Sequence, residues 1–213
     1  MKPLTSLILS AIAVTAINFP AQHPMMPLHP SQPQPHIKFK TTNSPPSPKD
    51  APPSTYDPKL QPQVSLSDTI GPLRSISSFS SFTRLCSSTS SLLSDLSTNT
   101  TVLAPLNSAI DKLPRKPWES PADYAHIGPQ AYDGTGGHDR ANRNLFKFVE
   151  AHLVGVSPWP EGQKATTLAG REVWWESRNG ERVVMPDEVV VERVASRVSN
   201  GEVWILKGVV NYE

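Results

Sequence analysis

Residues 100–110 read TTVLAPLNSAI, and they decide the fold. Thr101, Val102 and Leu103 suit a pleated, buried surface. Pro105 has no N–H to give to a ladder and ends the strand. Asn107 then stands where a helix N-cap belongs, and its side chain can accept from a backbone N–H two or three residues on. Strand, turn and capped helix within so short a run make a keystone, and the rest of the chain supplies what packs on it.

Immediately upstream, Asn99-Thr100-Thr101 is an N-glycosylation sequon, which requires an exposed Asn99. Before it, residues 64–96 are Ser-rich but place Leu66, Ile70 and Leu73, then Phe79, Phe82 and Leu85, then Leu92, Leu93 and Leu96 at helical steps. This predicts two or three short helices, with Ser67-Asp68 and Ser77-Ser78 as caps. The folded domain is therefore expected over residues 64–213. Residues 17–63 are rich in Pro, Ser, Gln and Lys and cannot bury enough apolar surface to offset their ordering entropy, so a disordered linker is expected. His23, His29 and His36 within it read as solvated side chains.

Residues 1–16 have Lys2 followed by an apolar run and compact residues at Val14-Thr15-Ala16, the pattern of a secretory signal peptide. The run is shorter than the roughly 20 residues a spanning helix needs, so no membrane anchor is expected after cleavage. The tail Asn211-Tyr212-Glu213 lacks the hydrophobic signal of a lipid anchor. Net charge is +1, so no global field favours nucleic acid. Cys86 is the single cysteine, which excludes an internal disulfide and fits a buried thiol. Pro is abundant, at 23 residues, and concentrated ahead of residue 64, which separates a linker from one domain.

Downstream, residues 111–143 carry many Pro and Gly, and long regular structure is not expected there. Residues 144–154, NLFKFVEAHLV, space Leu145, Phe148, Val149, His152 and Leu153 as one face of a helix. The remainder is strand-rich: a hairpin through residues 166–176, an Asn179-Gly180 turn, a strand over 189–198, and an Asn200-Gly201 turn into 203–210. Helices followed by antiparallel sheet argue for an α+β fold.

Four stretches, in order, resemble boxes of the fasciclin family. They are TVLAPLNSAI (101–110), FVEAHLV (148–154), TLAGREVWWE (167–176) and NGEVWILKGVV (200–210). The middle region, with KPWE and YDG, is most similar to small single-domain fungal members. This resemblance implies a wedge of about seven strands with packed helices. It also implies a non-enzymatic adhesion or interaction module of the secretory pathway, vacuolar first and extracellular as the alternative. A protein or a polysaccharide is the implied partner, without a cofactor. Thr101, Pro105, Asn107 and His152 are the family-motif residues. In animal adhesion members the central box is linked to integrin binding, and Ala151 here replaces its frequent Tyr or Asn, which puts that role in doubt. Lys207 stands where Asp is common and could disturb the hydrogen bonding at the sheet's end.

Against this stand two chemical readings. His152 on an apolar stripe reads as a core histidine, with the 101–107 turn as its expected partner. Asp133, His138 and Asp139, with His126 nearby, form the candidate metal or hydrolase cluster, but their spacing matches no zinc or calcium loop. The second functional reading is a small secretory hydrolase using that loop. Cys86 with His152 is the other conceivable nucleophile pair, and no GxSxG elbow occurs. Adjacent Trp174 and Trp175 must face opposite sides of a strand.

Overall fold

The computed structural model describes residues 57–213. The signal-peptide reading and most of the 17–63 linker therefore lie outside the described residues. Four short helical elements come first: α1 (Leu66–Ile70), a 3₁₀ turn (Arg74–Ile76), α2 (Ser77–Leu85) and α3 (Ser87–Ser94). The keystone strand β2 (Thr100–Pro105) and α4 (Asn107–Asp111) follow, after a short β1 (Leu60–Gln61) near the start. Next come α5 (Pro121–Ile127), the long α6 (Gly134–Ala151), and strands β3 (Leu153–Val154) and β4 (Ala165–Thr166). Strands β5 (Glu172–Arg178), β6 (Glu181–Met185), β7 (Val189–Val198) and β8 (Gly201–Leu206) complete the sheet.

Seven strands run in the order β3-β2-β8-β7-β6-β5-β4, with β1 attached to β7. The two ends of that path meet: Val154 bridges Thr167, and Leu168 N–H donates to Leu153 O at 2.9 Å. A twisted sheet whose ends meet is a wedge with an inside and an outside. The α+β wedge expected from the family boxes is the architecture found.

One pairing departs from the antiparallel series. β2 lies parallel to β8, from Thr100↔Gly201 to Pro105↔Leu206. Parallel pairs have covered faces, and every residue of both strands is buried. Alternation then sorts them. Val102, Ala104, Val203 and Ile205 join Leu66, Ile70, Phe79, Phe148 and Leu153 under the helices. Leu103, Trp204 and Leu206 point the other way, into a wedge interior with Trp159, Trp175, Val184 and Val191.

Local rules account for most of the elements. Asn179 (φ 54°) and Gly180 (φ 82°) form the expected two-residue turn with positive φ at both positions. α1 begins in a capping box, with Asp68 N–H donating to Ser65 Oγ at 3.3 Å and Ser65 N–H donating to Asp68 Oδ2 at 3.0 Å. The cap is thus Ser65, two residues ahead of the expected Ser67-Asp68. Leu85 and Leu96 fall outside the core, 61% and 56% exposed, because α2 and α3 turn Phe79, Thr83, Thr89 and Leu93 inward instead.

Three expectations are corrected. The region expected to be irregular contains α5 and the first ten residues of α6, which starts at Gly134 and not at Asn144. Gly137 explains this: a Cβ there would lie 2.1 Å from Tyr132 C, so the helix start needs a glycine to fold back on the Tyr132 backbone. Helix α6 also ends earlier, at Ala151, with His152 as its C-cap and Leu153–Val154 as a strand against β2. Chain order ahead of residue 64 is the third. Leu60 and Gln61 pair with Arg197 and Val198, and Asp57 pairs with Arg197 at 2.5 Å. That strand uses backbone groups and one ion pair, which apolar composition does not reveal.

Candidate functional site

The four motif residues each hold the frame, at separate points. Thr101 is fully buried and its Oγ1 donates to Val156 O at 2.6 Å. Pro105 closes β2, and the ladder continues through Leu106 N–H, which donates to Leu206 O at 3.0 Å. Asn107 does not cap its own helix, whose N-cap position is Leu106. Its Oδ1 accepts from Ser78 N–H at 3.0 Å, and its Nδ2 donates to Arg74 O at 2.9 Å and Ser77 Oγ at 3.0 Å. It therefore caps α2, which lacks a side-chain cap of its own, from 29 residues away. The expected Ser77-Ser78 cap is supplied by this residue instead.

His152 is fully buried between Phe79 and Phe148, with ring centroids 5.6 and 4.5 Å away. Its Nδ1 lies 2.7 Å from Phe148 O and its Nε2 lies 3.3 Å from Val210 N. A carbonyl only accepts and an amide N–H only donates, so Nδ1 carries the proton and Nε2 accepts. Burial then lowers the imidazole pKa to about 4, against a smaller upward pull from the Phe148 carbonyl. The expected side-chain partner, the 101–107 turn, is not what the ring meets. Only the His152 backbone touches that strand, its carbonyl accepting from Leu103 N–H at 2.8 Å. A helix that ends at Ala151, three residues short of the expected Val154, turns the ring toward the C-terminal segment.

The acidic loop does not assemble. Asp133 sits at the α6 N-cap position without a side-chain capping bond. His138 meets Asn142 across one helical turn at 3.2 Å, with Asp139 on the same helix. Among the described residues no three His, Cys, Asp or Glu side chains converge as metal ligands. Cys86 is buried, and burial raises its thiol pKa, the opposite of nucleophile activation. Asn99 is exposed just ahead of β2, as a sequon requires.

Residues given no functional role by the sequence, among them Trp118 and Tyr132, whose aromatic rings imply only that the region packs down, build the concave feature. Tyr132 OH accepts from Ser120 N–H at 2.6 Å and donates to Asp123 Oδ2 at 3.0 Å. Asn144 Nδ2 donates to the same Asp123 oxygen at 2.8 Å and to Trp118 O at 3.1 Å. The Asn144 bond, and the smaller contribution of Tyr132, hold the Asp123 carboxyl below its usual range. This network ties the 117–123 loop to α6. Beside it opens a cleft of about 330 Å³ lined by Pro117, Glu119, Pro121, Asn144, Lys147 and Tyr212. The sequence signal was a Tyr, an Asp and an Asn on three segments, which no spacing rule joins.

The tryptophans resolve as alternation requires. Trp175 is buried in the wedge and donates from Nε1 to Trp159 O at 2.9 Å. Trp174 is half-buried on the other face, under Lys164 at 5.4 Å from its ring centre. Lys207 does not disturb the sheet end. Its N–H donates to Val190 O at 2.9 Å and its Nζ meets Glu181 at 2.8 Å.

Known proteins share this pattern of residues. FAS1 domain-containing proteins of Neurospora crassa, Emericella nidulans and Aspergillus fumigatus are 54%, 46% and 47% identical to it over 149, 151 and 148 residues. The chain is a fasciclin-like domain protein, similar to these fungal FAS1 domain-containing proteins. The matches take in 70%, 70% and 69% of this fasciclin-like chain and 65%, 62% and 63% of those relatives, so it spans somewhat under two thirds of their length. No family model matches the chain. A solved FAS1 domain pair from the insect cell adhesion molecule fasciclin I is similar with a TM-score of 0.49 and 13% identity, covering 70% of this chain and 51% of that one.

Proposed function

We propose that this fasciclin-like chain is a non-enzymatic adhesion or interaction module of the secretory pathway, resident in the vacuolar lumen, with the cell surface as the alternative address. FAS1 domains generally serve adhesion and interaction, and kinship to the fungal FAS1 proteins supports that class here. The observation that carries the non-enzymatic reading is His152: both ring nitrogens are committed to backbone groups inside the core. A general base needs a free nitrogen within reach of substrate, and this ring is a strut. The signal-peptide pattern of residues 1–16 and the exposed Asn99 sequon support the secretory address.

The test is a C-terminally tagged full chain followed by microscopy and fractionation, with Asn99→Gln alongside. Lumenal or surface signal, and a glycosidase-sensitive mobility shift lost in Asn99→Gln, are the expected results. A cytosolic chain overturns the address, and turnover of ester or glycoside substrates by purified protein overturns the non-enzymatic reading.

A further inference from the structure

We infer that the cleft between the 117–123 loop, α6 and the C-terminal segment is a binding site for a neutral saccharide. This rests on the interaction-module reading and names its ligand class. The walls have both the chemistry and the rigidity for it. Tyr212, Pro117 and Pro121 give the cleft apolar surface, suited to the C–H face of a pyranose ring. Lys147 shares one small space with the carboxylates of Glu119 and Glu213, so a cationic ligand meets the lysine and an anionic ligand meets two groups of its own sign. Hydroxyls, each both donor and acceptor, meet no such conflict. Lys147 donates, Glu119 accepts, and Asn144, whose Nδ2 is spent on Asp123 and Trp118, has its Oδ1 to offer.

The size agrees. A volume of about 330 Å³ is at the lower end for small-molecule sites and accommodates one or two sugar rings. The walls are also set before a ligand arrives. On one side Tyr132 fixes Ser120 and Asp123. On the other, Tyr212 stands edge-on to Phe148 at 4.8 Å. The segment bearing it is pinned where Val210 N–H donates to His152 and Asn211 N–H donates to Asp187 Oδ2 at 2.8 Å. Fixed walls remove an ordering cost that a weak ligand could not offset. This also gives buried His152 a positioning role: it holds the segment that forms one wall.

The experiment is NMR titration of the folded, purified chain with chitotriose, mannotriose, laminaritriose and, as a competitor class, decaproline. The expected result is saturable binding of at least one trisaccharide at about 1 mM, with amide shifts centred on Lys147 and Tyr212. Tyr212→Ala should weaken it about tenfold and Lys147→Met about fivefold. Lys147 is exposed, so an unchanged melt for Lys147→Met keeps the test independent of folding. No saturation by any trisaccharide, binding indifferent to both substitutions, or decaproline alone shifting the same amides would overturn the assignment. Failure here with the lumenal address intact leaves the module reading standing, whereas cleavage of a bound trisaccharide, seen by mass spectrometry, refutes that reading itself.

Discussion

The two faces of strands β2 and β8 carry different kinds of core. Toward the helices, Val102, Ala104, Val203 and Ile205 meet Leu66, Phe79 and Phe148, brought from separate parts of the chain. Toward the wedge interior, Leu103 and Trp204 meet Trp159, Trp175 and valines from hairpins that follow one another. The helix side is tied by buried polar side chains, because helix ends present unpaired backbone groups that water cannot reach. His152 and Asn200 answer that need. Asn200 is fully buried; its Oδ1 accepts from Leu66 N–H at 2.9 Å and its Nδ2 donates to Leu93 O and Asp95 O at 3.0 Å each. The wedge side has its ladders already paired, and its polar groups are the Thr101 hydroxyl, which donates to Val156 O, the Glu202 carboxylate beside Arg197, and three indole N–H groups met by Gln163 O, Trp159 O and Glu202. Non-local packing of helix ends needs polar side chains that reach several backbone groups at once, whereas the sequential hairpins satisfy most of theirs through the ladders.

Gly201→Ala should break both faces at once. A Cβ at that residue, whose φ is 150°, would lie 1.8 Å from Thr100 O, between the two strands that divide the cores. A loss of more than about 4 kcal/mol is expected, seen as failure to recover folded protein; a cooperative melt near wild type would refute the account. Trp204→Ala strikes the interior alone and should cost about 4 kcal/mol. It should also collapse the near-ultraviolet dichroism of the stacked Trp159–Trp204 pair, whose centroids lie 5.5 Å apart. Asn200→Ala strikes the helix side alone, leaving two buried backbone groups and the Asp95 carbonyl without their partner, for about 3 kcal/mol by urea denaturation. Retained near-ultraviolet signal in Asn200→Ala would sharpen the distinction, and its loss would show that the faces are one cooperative core.

His152 makes the helix side pH-sensitive. Its pKa is about 4 when folded and near 6.5 when unfolded, so the unfolded chain binds the extra proton first. Stability from this group is full above pH 6.5 and is lost as pH falls toward 4, by about 2 kcal/mol at pH 5. His152→Gln should flatten that part of the stability–pH curve, and an unaltered slope between pH 6.5 and 4.5 would count against it. The smallest effect belongs to Asn107→Ala, about 1 kcal/mol for the lost α2 cap. It should appear as faster amide exchange at Ser78 and its neighbours, with the wedge strands unaffected.

Residue patterns already contained the hairpins, the alternating strands and the Asn179-Gly180 turn, since these follow from neighbours in the chain. The start of α6 was hidden by three glycines, of which Gly137 is required by a contact with Tyr132, a residue outside the helix. Asn200 read as a turn residue because its partners, Leu66, Leu93 and Asp95, lie more than 100 positions away. The cleft was invisible for the same reason: Asp123, Tyr132 and Asn144 become one network only after α5 and α6 pack.

The opening run, residues 100–110, shows where the division falls. By itself the sequence determined that β2 is a strand, that Pro105 ends it and that a helix follows, because each depends on covalent geometry and backbone propensity within a few residues. Only the tertiary structure decided that β2 lies parallel to β8, that Asn107 caps α2 and not α4, and that His152 turns to Val210. Those choices go to whichever distant polar group must be satisfied once water has been expelled, and no local rule carries that information.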